Sequence, residues 1–315
     1  DGTILWLEQA GGALDDSART SVLNSSGDLL IGGFTWSASF SAGDNSFTSR
    51  GIDGFVLGID ANGTWNRLAS IEGDGADAVQ EMSIDQSGRI YISGQFNSSR
   101  IEITESGGND CLTNQNNNYT LWSAYVAVLD GSTCEDIITI EQNVATGNLG
   151  VGTIVPNDII HDHNNGVYIT GEMYGDYDFG STTITQSLNY WGLFVAKIQA
   201  NNGILSWDWA TDDTLSTNAS AGTSLLIDDG GDLLLSGGIS GTVSFGNYNL
   251  TSVGTTSTFH TWDALFAHLN STTGDWELAM SMGGTGEDVA YDLAVGELEN
   301  GDALQILVGL TNSPI

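Results

Sequence analysis

The sequence predicts an all-β fold, a β-propeller of four-stranded antiparallel blades, and three observations carry that prediction. A strand-like phrase recurs five times: GDLLIGGF at 27–34, GRIYISGQF at 88–96, GVYITGEM at 166–173, GDLLLSGGI at 231–239 and a worn copy, GDALQILVGL, at 301–310. A second phrase keeps step with it: DGFVLGID at 53–60, SAYVAVLD at 123–130, GLFVAKIQ at 192–199 and DALFAHLN at 263–270, spaced by 70, 69 and 71 residues. No window of helical length shows a capped apolar stripe.

Each repeat parses into strands in order. In the second copy, VQEMSID at 79–85 alternates as a strand does, and DQSG is a hairpin turn whose glycine supplies positive φ. IYISGQ is a second strand, rich in β-branched and aromatic residues. A variable polar loop follows, then YVAVLD as a third strand and IITIE as a fourth. Stretches such as LLI, LLL and FVA, apolar on both faces, suit a sheet packed between two others. The glycines at Gly32, Gly94, Gly171, Gly237 and Gly309 anchor the five copies. Trp65, Trp207 and Trp276 follow the second phrase, Trp6 is the unpaired first copy, and the copy at 131–140 has no tryptophan. The chain reads as one propeller over 1–315, in repeats of about 1–60, 61–130, 131–199, 200–270 and 271–315, the last incomplete. Residues 3–9 read as an outermost strand lacking its blade, so a longer parent chain is expected.

A net charge of −34, from 40 acidic and 6 basic residues with Lys197 the only lysine, argues against nucleic acid and anionic membrane surfaces as partners. The hydrophobic fraction of 40% supports a core, and no apolar run is long enough to span a bilayer. Cys111 and Cys134 match no metal-ligand spacing and predict one disulfide in an extracellular protein.

The conserved chemistries are mostly missing. There is no GxSxG, no HExxH and no phosphate-binding loop. The lysine of VAKI mimics a kinase strand, but Gly58, Val128 and His268 hold the same repeat position. His161 and His163 form an HxH pair inside the turn HDHNNG, where a solvated hairpin competes with metal binding. The acidic turns place Asp85, Asp162, Asp228, Asp229 and Asp232 as candidate Ca²⁺ ligands, the one cofactor suggested. Asp also favours turns by bonding its own backbone. A recurring Asp, at Asp16 and Asp288 in D-x-A and at Asp77 in DAV, reads as an anchor for the inner turn. Among seven N-x-S/T sequons, Asn97, Asn118 and Asn249 are the first choices for glycans. Tyr119, Trp122, Tyr174, Tyr177, Tyr190 and Trp191 are candidates for stacking on sugars or anchoring a protein, and equally for capping the blade cores.

The stretches SGTVSFGNYNLTS at 240–252, GDYDFGSTTIT at 175–185, GLFVAKI at 192–198 and GGTGEDVAYDLAV at 283–295 carry a family resemblance. The pattern resembles the β-propeller repeats termed SBBP, found in large secreted and surface proteins of bacteria and archaea. The resemblance covers nearly the whole chain, with the first two copies departing from it in the variable loop. It implies the fold and no shared catalytic motif. The expected function is a non-enzymatic extracellular or cell-surface module, structural or adhesive, whose partners are other surface proteins, further copies of itself or glycans. The alternative is a carbohydrate-active enzyme, a glycosidase or lyase, using two carboxylates at the channel mouth.

Overall fold

A computed structural model describes residues 2–105, 111–114, 122–130, 133–143, 152–162, 164–213, 218–254, 261–297 and 303–313. The protein is all-β, its sheets are antiparallel, and none closes on itself among the described residues. The chain divides into two compact units, one of residues 1–141 with 200–206, the other of 142–199 with 207–315.

The first unit contains two meanders. One runs Asp16–Leu23, Leu29–Thr35, Asp53–Ile59, Trp65–Gly73, and the next Asp77–Ile84, Ile90–Phe96, Ser123–Asp130, Thr133–Gln142. The second unit is built on most of two more, residues 200–206 belonging to the first unit, and on a hairpin. The meanders are Thr153–His161, Gly166–Tyr174, Gly192–Asn201, Ile204–Asp212 and Ala219–Ile227, Leu233–Ser240, Trp262–Leu269, Trp276–Met282. The hairpin pairs Asp288–Glu297 with Ala303–Thr311. The second and third strands carry the core: Asp53–Ile59 and Leu233–Ser240 are buried at every position. That two-faced burial explains why these stretches are apolar throughout.

The recurring glycine has a steric cause. Every first strand carries a β-bulge, and the carbonyl beside it presses on the second strand. A Cβ on Gly94 would meet the Ala78 carbonyl at 2.0 Å, and one on Gly171 or Gly237 would meet Val155 or Ala221 at the same distance. In two of these copies an aromatic ring on the third strand covers the bare glycine, Tyr125 lying opposite Gly94 and Phe194 opposite Gly171, while Gly237 faces Leu265. In the first copy the residue opposite Phe55 and against the Ser17 carbonyl is Gly33, so the anchor there is Gly33 and not Gly32.

The variable segment is not a simple loop. In each of the four meanders it folds a second hairpin: Phe40–Ala42 with Asn45–Phe47, Arg100–Glu105 with Cys111–Asn114, Asp176–Phe179 with Thr182–Thr185, and Thr242–Phe245 with Tyr248–Thr251. Three of these hairpins are pinned by an aromatic cluster around the recurring tryptophan. Phe179 meets Trp207 edge-on at 5.4 Å and Phe245 meets Trp276 at 4.9 Å, while Phe40 and Phe47 join the cluster of Trp65. Cys134 pairs with Leu129 as Trp65 pairs with Ile59 and Trp276 with Leu269. It occupies the missing tryptophan's place, and its disulfide to Cys111 fastens the hairpin covalently.

Residues 2–9 form no strand, contrary to the expectation for 3–9. Ile4, Leu5 and Leu7 are exposed there, without the burial that a strand of the sheet gains, and Trp6 is pinned by donating its Nε1 to the Ala61 carbonyl. No helix among the described residues is long and apolar enough to cross a membrane.

The disulfide closes a separation of 23 residues, a constraint on the unfolded chain of about 3 kcal/mol. The double variant Cys111→Ser, Cys134→Ser is expected to lose about that much in urea unfolding, and reduction of the parent to match it. An unchanged midpoint on full reduction counts against this role.

Candidate functional site

The acidic turns are built alike. Asp85 Oδ1 accepts the Ser87 and Arg89 amides, Asp162 Oδ1 those of Asn164 and Gly166, and Asp228 Oδ1 those of Gly230 and Asp232. Each aspartate therefore spends one oxygen on its own turn. The other oxygen faces the sheet: Tyr91 donates to Asp85 Oδ2 at 3.2 Å and Tyr168 to Asp162 Oδ2 at 3.0 Å. The five predicted aspartates do not form one cluster, since the turns belong to separate meanders. Asp229 is exposed on its turn, whereas Asp232 lies with His268 and Glu277, their ligand atoms all within 4.8 Å of one another. His163 lies outside the described residues, so the HxH pair has no geometry here.

Of the recurring aspartates, Asp16 and Asp288 anchor backbone. Asp16 and Asp288 each accept a glycine amide at 2.7 Å, from Gly12 and Gly284, and each accepts a threonine hydroxyl, from Thr35 and Thr311. In the second copy the threonine position is Phe96, which has no hydroxyl. Asp77 is met by Ser98, whose hydroxyl donates to Oδ2 at 2.7 Å, and its Oδ1 is buried with no hydrogen-bond partner among the described residues. Burial first, and then the neighbouring Asp53 carboxylate, push the Asp77 carboxyl up to about 8 against the Ser98 hydrogen bond. The hydroxyls of Ser313 and Thr311 draw Asp288, at the same repeat position, down to about 2. Asp53 and Asp77 both have 0% of their surface exposed, so no substrate reaches this pair.

The open candidate site lies in the second unit. A cavity of about 410 Å³ is lined by Asn157, Thr223 and Tyr291, with Glu172 and Trp262. The first three are the extra residues of the first-strand bulges, between Pro156 and Asp158, Gly222 and Ser224, and Ala290 and Asp292. A bulge leaves its extra residue outside the ladder and re-aims its side chain. Asn157 donates Nδ2 to the Gly222 carbonyl at 2.9 Å, and Thr223 donates to the Ala290 carbonyl at 2.9 Å. Glu172 follows the anchor glycine Gly171. Its carboxyl has no hydrogen-bond or ion-pair partner among the described residues, and burial raises it above the ordinary range. An aromatic face, an exposed phenol, an amide and an unpaired carboxyl thus surround one space.

None of these five residues stands out in the sequence, and for Asn157, Thr223 and Tyr291 the reason is that a bulge register shows only in the sheet. The aromatic residues singled out by sequence lie elsewhere. Tyr177 is fully buried, Tyr174 packs edge-on against Trp191 at 4.9 Å, Tyr190 is partly exposed, and Tyr119 lies outside the described residues. Of the glycan candidates, Asn249 is exposed on its hairpin, Asn97 is half-buried with Oδ1 accepting the Ala76 amide, and Asn118 lies outside the described residues. No family model matches the chain, and no curated protein matches it either.

The contrast between Asp77 and Asp288 has a measurable consequence. The folded state holds Asp77 protonated up to about 8, while the unfolded chain ionises it at the ordinary carboxylate value of 3.8. The contribution of neutral Asp77 is therefore complete below 3.8, declines as pH rises and is gone above about 8. Asp77→Asn keeps a neutral group at all pH. It is expected to gain stability over the parent between about pH 5 and about pH 8, by on the order of 1–2 kcal/mol, in paired thermal or urea melts. Parallel pH profiles for the two proteins would refute the assignment.

Proposed function

We propose that the chain is a β-propeller of the SBBP-like repeat type, acting outside the cell as a non-enzymatic binding module of a structural or adhesive protein. The successive four-stranded meanders, each joined to the next in sequence, support the propeller, and the disulfide fits an oxidising compartment. The observation that carries the binding reading is the cavity of Trp262, Tyr291, Glu172, Asn157 and Thr223. A few convergent polar groups beside aromatic faces are the ordinary make-up of a small-molecule site.

The ligand class that fits is a glycan. Trp262 and Tyr291 offer faces for the C–H surface of a sugar ring, Glu172 accepts from hydroxyls, and Asn157 keeps its Oδ1 for a donor. The charge of −34 speaks for neutral or cationic sugars and against polyanionic ones. The enzymatic alternative is weaker at this site. A glycosidase works with two carboxyl groups about 5–9.5 Å apart, and among the described residues Glu172 is the single carboxyl lining the cavity.

The test is a glycan array followed by calorimetry on the best neutral oligosaccharide, with Trp262→Ala and Glu172→Gln beside the parent. Saturable binding without turnover is expected, weakened about tenfold or more by Trp262→Ala. Binding that is indifferent to both substitutions, or release of shortened sugar, contradicts the proposal.

A further inference from the structure

Each meander builds the same small cluster from four repeat positions, and the copies balance their charge differently. The positions are the turn aspartate, the residue four places on, one residue of the third strand, and the residue after the recurring tryptophan. In the first copy they are Asn24, Asp28, Gly58 and Asn66, and the two amides of Asn24 and Asn66 donate to Asp28 Oδ2 at 3.2 and 3.1 Å. In the second, Arg89 pairs with Glu135 at 2.8 Å beside Asp85. In the third, Lys197 lies 3.7 Å from Asp208 and over the ring of Tyr168, whose hydroxyl donates to Asp162.

The fourth copy breaks the pattern. Its positions hold Asp228, Asp232, His268 and Glu277: three carboxylates and an imidazole, with no permanent cation. No described lysine or arginine pairs with any of the three acids. The side chains are nevertheless held in place. Asp228 Oδ1 accepts the Gly230 and Asp232 amides, Asp232 Oδ1 accepts the Ser271 amide at 2.9 Å, and Glu277 Oε1 accepts Asn270 Nδ2 at 3.1 Å. The second oxygens of Asp228 and Glu277 turn toward the imidazole, Asp228 Oδ2 lying 3.3 Å from Nε2 and Glu277 Oε2 3.5 Å from Nδ1. Nε2 itself is enclosed and lies outside hydrogen-bond geometry with any partner.

We propose that Asp232, His268 and Glu277 form a binding site for a divalent transition-metal ion of the zinc class, with Asp228 holding the imidazole from its far side. The ion supplies the positive charge that Arg89 and Lys197 supply in the neighbouring copies. Two donors each about 2.1 Å from a tetrahedral ion stand about 3.4 Å apart, and Glu277 Oε2 and Nδ1 are 3.5 Å apart. The Asp228 carboxylate, 3.3 Å from Nε2, stands behind the second imidazole nitrogen and leaves Nδ1 on the side of Glu277. The imidazole ligand and the small oxygen set distinguish this site from a calcium site, which takes six to eight oxygens.

The test is a titration of the full chain with Co²⁺, read by visible d–d absorption, then displaced by Zn²⁺ and by Ca²⁺. One equivalent is expected, displaced by Zn²⁺ and not by equimolar Ca²⁺. His268→Gln abolishes the signal, Asp228→Asn weakens binding about 10- to 100-fold, and exposed Asp229→Asn leaves it unchanged. Circular dichroism confirms folding, and the more exposed Glu277→Gln replaces His268→Gln if that variant does not fold. No saturable Co²⁺ or Zn²⁺ binding, binding that survives loss of His268 or Glu277 in a folded variant, or displacement by equimolar Ca²⁺ overturns the site.

Discussion

The structure depends on one steric constraint, the bulge of each first strand pressing its carbonyl onto the second. At Gly94, Gly171 and Gly237 that oxygen lies 2.0 Å from where a Cβ would stand, so only glycine fits. A glycine in a strand interior is a weakness by itself, and the aromatic rings of Tyr125 and Phe194 offset it by covering the gap. The bulge then fixes what the first strand presents. It leaves Asn157, Thr223 and Tyr291 outside the ladder, and those residues line the cavity. One backbone irregularity, repeated, thereby creates the repeated phrase in the sequence and the variable chemistry of the site.

A second device holds the periphery. The hairpin between the second and third strands packs an aromatic cluster around a tryptophan in three copies and carries a disulfide in the fourth case. The two solutions share one position, Cys134 standing where Trp65 and Trp276 stand. The same economy appears among the charges. Asp77 and Asp288 hold equivalent places, yet burial pushes the Asp77 carboxyl up to about 8 while the Ser313 and Thr311 hydroxyls draw Asp288 down to about 2. Repeats let a single chain show what each partner of a buried carboxyl contributes.

Much of the fold was legible. Alternation, turn glycines and the two recurring phrases place the four strands of each meander, because burial on both faces and tight hairpins leave direct marks in composition. The anchor was misplaced by one residue, at Gly32, since GG offers two glycines and only the register opposite Phe55 selects Gly33. The inner hairpins were hidden because their short strands, such as Thr182–Thr185, are polar on one side and resemble loop. The site was far less legible. The turn role of Asp85, Asp162 and Asp228 follows from ordinary aspartate chemistry, but the cavity residues depend on the bulge register, and the company of Asp232 with His268 and Glu277 depends on pairing between strands distant in sequence. The signal for His268 lies in comparing equivalent repeat positions, where Gly58, Val128, Lys197 and His268 align.

The most direct test of the bulge constraint is the urea unfolding free energy of Gly171→Ala set against Gly296→Ala. A Cβ at Gly171 meets the Val155 carbonyl at 2.0 Å and the Phe194 ring at 3.0 Å, whereas one at Gly296 meets nothing within 4 Å. Gly171→Ala is predicted to lose about 2 kcal/mol or more, and Gly296→Ala to stay within about 0.5 kcal/mol of the parent. Equal stability of the two variants would contradict the account, because the glycine phrase would then have no steric reason to recur.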